Sequence, residues 1–158
     1  PPFFPERWKP GAMSAIIEPE QHLLDTTRDA NHSTCVVCGS AVDGGWGLRF
    51  ALRDDGAVEA VLACGQRHQG YEGVLHGGVI CSLLDGAMTN CLFAHGVAAV
   101  TAKMTVLFRH PVAVNQELMV RAWITRSDSP LYGLDSTIIQ DGQVRAKASA
   151  VFMERPLS

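Results

Sequence analysis

The stretch at residues 79–93 restricts what this chain can fold into more than any other. Its apolar residues Ile80, Leu83, Leu84, Ala87, Met88, Cys91 and Leu92 recur at the three-to-four spacing of a helix. The other side carries small residues: Ser82, Gly86, Thr89 and Asn90. A helix apolar on nearly every side has to be buried. No apolar run in the chain reaches the ~20 residues that span a bilayer, so the covering must come from the protein itself. His95-Gly96 supplies the glycine expected just past a helix end.

The flanking sequence supplies that cover. Residues 46–53 alternate through Leu48, Phe50 and Leu52, which predicts a strand. Asp54-Asp55-Gly56 is a hairpin turn, and residues 57–64 form the partner strand. Residues 66–75 are a glycine-containing loop. Four strand-like runs follow the helix, at 97–110, 117–127, 131–140 and 143–152. Pro111, the turn at 127–130 and Asp141-Gly142 separate them. The order strand, strand, helix, four strands predicts an α+β domain over residues 46–155. In it an antiparallel sheet curls around one central helix, the hotdog arrangement.

Upstream, residues 1–45 read as an N-terminal extension with a short helix from about Glu20 to Arg28, then a loop containing Cys35-Val-Val-Cys38-Gly. Residues 1–10 are proline-rich and lack the apolar core of a signal peptide. Met13 is a candidate native start, and residues 1–12 stay outside the fold argument. Neither an internal repeat nor a second domain is visible.

A net charge of −3 offers no basic field to a nucleic acid. The five cysteines are an odd number, and Cys64, Cys81 and Cys91 stand in apolar surroundings. That points to free thiols in a reducing compartment and to a cytoplasmic protein. The Cys35/Cys38 pair is half of a zinc knuckle, and the chain has no second pair. His32 could add a third ligand, or a dimer could combine two pairs. The reading adopted is a loop of small residues packed on the sheet, with no metal.

Chemistry concentrates between His76 and Asp85. His76-Gly77-Gly78 opens the apolar helix, where backbone N–H groups are unpaired and the helix dipole is positive. Glycine there lets a carbonyl oxygen approach the backbone, and the same residues also suit a mere tight turn. Asp85 lies inside the apolar run with no basic residue within two turns on either side. A local ion pair therefore does not explain it, which leaves a distant partner or a catalytic carboxylate.

The run HQGYEGVLHGGVICSLLDGAM resembles hotdog-fold acyl-CoA thioesterases of the phenylacetate-pathway and human mitochondrial branch. The matching residues are Gly70, Gly73, His76-Gly77-Gly78 and Asp85, nine residues after the histidine. The resemblance implies that Gly77 is the oxyanion donor, that His76 shapes its loop, that Asp85 is the catalytic acid and that Thr101 positions water or substrate. Several relatives carry Asn six residues before the histidine, where this chain has Gly70, so Gln69 is considered as a replacement donor. Gly78, Met88 and Arg109 are further candidates for binding substrate, an acyl-CoA that brings coenzyme A with it and requires no other cofactor. Phe108 and Leu84 are candidate pocket walls, and Arg126 and Arg145 are candidate phosphate contacts.

Gly77 and Asp85 stand eight residues apart, about 12 Å along a helix axis. One thioester needs both groups within about 3 Å of its carbonyl. A single helix cannot meet that demand, whereas two antiparallel helices from two subunits can. The spacing thus predicts a two-fold homodimer, or a dimer of dimers, with sites at the interface. Two rival functions are an acyl-CoA hydratase or dehydratase, pairing His76 with Asp85, and a non-catalytic acyl-CoA-binding protein. A Cys-His hydrolase using Cys81 or Cys91 is disfavoured, because thiols in an apolar helix are normally structural.

Overall fold

The structure, a computed structural model, describes residues 16–155. The questions raised about residues 1–12 lie outside that range. In chain order the elements are α1 (Gln21–His32), β1 (Ala51–Leu52), β2 (Val58–Ala63), α2 (Gly77–Phe93), β3 (Ala99–Phe108), β4 (Glu117–Asp128), β5 (Leu131–Gln140) and β6 (Gln143–Glu154). The six strands form one antiparallel sheet in the order β1-β2-β4-β5-β6-β3. This is the expected α+β hotdog architecture, with α2 against the concave face.

Strand periodicity decides which side faces α2. Leu118, Val120 and Ala122 of β4 are buried, as are Leu134, Ser136 and Ile138 of β5 and Ala146, Ala148, Ala150 and Phe152 of β6. Each set follows the period of two that sends alternate side chains to one face. Leu83, Leu84, Ala87, Met88 and Cys91 of α2 have no exposed surface. Each large side chain among them contributes roughly 1.5–3 kcal/mol on burial. Among the described residues no helix is long and apolar enough to cross a membrane.

The helix ends are set by local chemistry. At the start, His76 is extended, and its Nδ1 accepts the Gly78 N–H at 2.9 Å. At the finish, Gly96 has φ +71°, and the N–H groups of Gly96 and Val97 reach back to the carbonyls of Phe93 and Leu92. That pair of bonds satisfies carbonyls the helix leaves open. The Asp141-Gly142 turn has both residues at positive φ, 53° and 70°, as a two-residue hairpin requires.

Three expectations need correction. The strand expected over residues 46–53 is reduced in the sheet to Ala51–Leu52. Trp46 and Leu48 instead give their N–H groups to Val36 and Val37, so this segment pairs with the cysteine loop. The first helix runs on to His32, past the expected end at Arg28. Arg28 is buried between Asp25 and Asp29, and Asn31 bonds the Thr27 carbonyl, both of which support the extra turn. The cysteine loop, finally, expected on the sheet, packs against α2. Val37 sits over Gly86 so closely that an added Cβ would lie 2.6 Å from its Cγ1.

Candidate active site

Gly77 is the first residue of α2, and its N–H donates to no protein group among the described residues. The neighbouring Gly78 N–H is already taken by His76, so Gly77 holds the free donor at this helix start. His76 is itself fixed, with its backbone N–H donating to the His68 carbonyl at 2.9 Å. Because His76 Nδ1 accepts, the ring proton belongs on Nε2 in the neutral tautomer.

Gly70 lies against this loop. A Cβ there would stand 3.2 Å from His76 Cδ2 and 3.4 Å from its Cα. In this chain the position where relatives carry Asn is therefore occupied by the flank of His76. Gln69 is held beside this loop through the acceptor end of its amide, which leaves its Nε2 out of that bond. Its Oε1 accepts from Gly73 N–H at 3.1 Å and braces its own loop.

A cavity of about 330 Å³ opens beside Gly77, lined by Val74, Ile80, Phe108, Arg109 and Val112 among others. The Phe108 ring is close enough that a Cβ on Gly77 would touch it at 3.6 Å. Arg109 thus lines the same cavity as Gly77. Met88 and Leu84 are fully buried in the core and line no part of this cavity. Arg126 and Arg145 are engaged with Asp128 and Asp141.

Asp85 is half-buried on α2, facing the edge strand β3. Thr101 donates its hydroxyl to Asp85 Oδ1 at 2.5 Å, while Oδ2 has no protein partner among the described residues. The strand is irregular at this point, with a register shift against β6 between Thr101 and Lys103. Such bulges re-aim side chains. Thr101 was expected to position water or substrate. The structure shows it holding the carboxylate.

Sequence reasoning missed Gln140. It is buried at the end of β5, and its side-chain amide bonds both the N–H and the C=O of Ala113. This fixes the segment whose Val112 carbonyl holds Leu75 just before His76. A polar residue ahead of an Asp-Gly turn reads as solvated, so the sequence carried no signal for it.

The cysteines of α2 are poor nucleophiles. Burial pushes the Cys91 thiol up to about 12. Cys81 is raised as well, by burial first and by the nearby Asp85 charge. His68 accepts from Trp46 Nε1 at 2.8 Å, and His95 Nδ1 lies 2.6 Å from the Ile17 carbonyl oxygen. Neither imidazole contacts a thiol through these bonds.

Comparison with known proteins bears on the fold and on the segment around α2. The thioesterase superfamily model matches residues 72–129, which include the loop before α2, α2 itself and β3. Mouse acyl-coenzyme A thioesterase THEM4 is 26% identical over 123 residues, 72% of this chain and 53% of its own length. The chain thus spans about half the length of that curated relative. The Escherichia coli PaaI protein from the phenylacetic acid degradation operon superposes with a TM-score of 0.73 at 18% identity, covering 85% of this chain and 95% of its own. Smu.793 from Streptococcus mutans, solved bound to acetyl CoA, gives 0.64 at 20% identity, covering 68% of this chain and 88% of its own. At such identities the structural likeness speaks for the fold. The chain thus has the hotdog fold of these neighbours, and its segment 72–129 is similar to the thioesterase superfamily.

Proposed function

We propose that this protein hydrolyses acyl-CoA thioesters to the free acid and coenzyme A. The observation that carries the reading is the pairing of two unspent groups: the Gly77 N–H at the start of an apolar helix, and Asp85 Oδ2 beside a Thr101-anchored Oδ1. Mouse THEM4, named an acyl-CoA thioesterase, and Smu.793, with its acetyl CoA, support the substrate class.

Gly77 N–H and the helix dipole polarise the thioester carbonyl and take up the charge that develops on its oxygen. An Asp85 oxygen attacks the carbonyl carbon, or deprotonates the water that does. In either case water is consumed, the C–S bond breaks, and the sulfur leaves as the thiol. His76 shapes the loop, and its outward Nε2–H is available to the thioester. Thr101 positions Asp85. Gly78 gives its N–H to His76, Arg109 in the cavity beside Gly77 meets coenzyme A, and no other cofactor is required.

The acid and the donor meet across a homodimer. Among the described residues β3 is the edge strand of the sheet, pairing only with β6, and Val100, Leu107 and Phe108 are about half exposed on it. A long apolar edge of this kind needs cover. A second β3 pairing antiparallel about a two-fold axis near Met104 and Thr105 places Thr101 of one chain opposite Phe108 of the other. Asp85, bonded to Thr101, then approaches Gly77 beside the facing Phe108.

Release of free thiol from a panel of acyl-CoA esters is the direct test. Wild type should release thiol from at least one of them. Asp85→Asn should retain its circular dichroism and lose turnover by about 10³-fold or more. Hydration of an enoyl-CoA without thiol release would favour the hydratase alternative. Binding of acyl-CoA without any turnover would favour the non-catalytic one.

A further inference from the structure

The end of α1 and the loop after it gather a second group of chemically active side chains. His32, Cys35 and Cys38 each present a ligand atom, and these atoms all lie within 4.8 Å of one another. His32 Nδ1 is 3.7 Å from Cys38 Sγ. A tetrahedral zinc site, with Zn–S about 2.3 Å and Zn–N about 2.0–2.1 Å, has ligand-to-ligand edges of ~3.5–3.8 Å. The trio is therefore already close to the size of such a face, and one edge matches it.

A separate residue points to the same place. Asn90 of α2 is fully buried, and its side chain lies beside Cys38. Its Nδ2 donates to the Gly86 carbonyl at 2.8 Å, while its Oδ1 has no partner among the described residues. An amide oxygen in a dry core is expected to be satisfied by something. Asn90 is thirteen residues beyond Gly77, about 20 Å along the helix, so this group is distinct from the oxyanion end.

We propose that His32 Nδ1, Cys35 Sγ and Cys38 Sγ bind one divalent cation of the zinc class, with the Asn90 amide oxygen at its fourth position. Thiolate and imidazole ligands select such a metal over calcium or magnesium. Both thiols release their protons as the cation binds, and no electron moves. A divalent ion with two thiolates and a neutral imidazole carries no net charge, which suits a half-buried setting. The cation ties the end of α1 and the cysteine loop to α2, with Val37 seated on Gly86 next to Asp85. Its role is to fix the wall beside the acid.

Full-length protein purified under reducing conditions without chelator should contain one zinc per chain. Cobalt(II) titrated into stripped protein should give a thiolate-to-metal charge-transfer band and intense tetrahedral visible bands at one equivalent, with two protons released. Cys35→Ser and His32→Ala, both at partly exposed positions, should lose that spectrum, and Asp85→Asn should keep it. Where a variant does not fold, stripped wild type serves instead, with its Tm lowered and restored by added zinc. Folded, reduced wild type that gives no thiolate–cobalt band overturns the proposal. So does a band that persists unchanged in folded Cys35→Ser, or a Cys35–Cys38 disulfide in metal-free protein purified anaerobically.

Discussion

Gly77 combines two properties that are rarely separable: it begins a helix, and it carries the N–H proposed to hold the oxyanion. Proline separates them. At a helix's first position proline is well tolerated, because the N–H it lacks has no helical partner. The preceding His76 already has φ −63° and ψ 137°, the extended conformation a following proline demands. Gly77→Pro should therefore fold with wild-type circular dichroism and reduce thiol release by about 10²–10³-fold, the usual cost of one oxyanion donor. Unchanged kcat/KM in that variant would remove Gly77 from the chemistry. At this scale the helix start at His76-Gly77 and the place of Asp85 on α2 were legible in the sequence, because a carboxylate and a glycine pair are out of place on an apolar helix. The contacts of Gln140 and Met88 were not. What they touch depends on loop geometry and on which face of α2 meets the sheet, and spacing encodes neither.

Elements show the same division. The helix α2 and strands β2 to β6 came through because each has one clear period and a recognisable stop. β1 did not, because alternation alone cannot tell whether a strand pairs with the sheet or, as here, with the Val36–Val37 backbone. That pairing places Val37 on Gly86. Alanine is worth about 1 kcal/mol more than glycine in a helix. Overpacking a filled core costs about 1–3 kcal/mol. With an added Cβ only 2.6 Å from Val37 Cγ1, the overpacking cost should win. Gly86→Ala should then lower urea-unfolding stability by up to about 2 kcal/mol, whereas in a Val37→Ala background it should be neutral or stabilising. Equal effects in both backgrounds would show that the loop does not press on the helix there.

At the scale of the whole molecule, the separation of Gly77 from Asp85 and the edge of β3 underlie the proposed homodimer. A site shared between two chains makes a quantitative demand. Gly77→Pro and Asp85→Asn should each be inactive alone. When the two are unfolded together and refolded at equal concentration, half the dimers are mixed. Each mixed dimer then has one site carrying both defects and one carrying neither. Thiol release should recover to about a quarter of the wild-type rate. If donor and acid served one thioester within a single chain, every site in the mixture would be defective. The mixture would then remain as inactive as its components, and the shared-site account would be wrong.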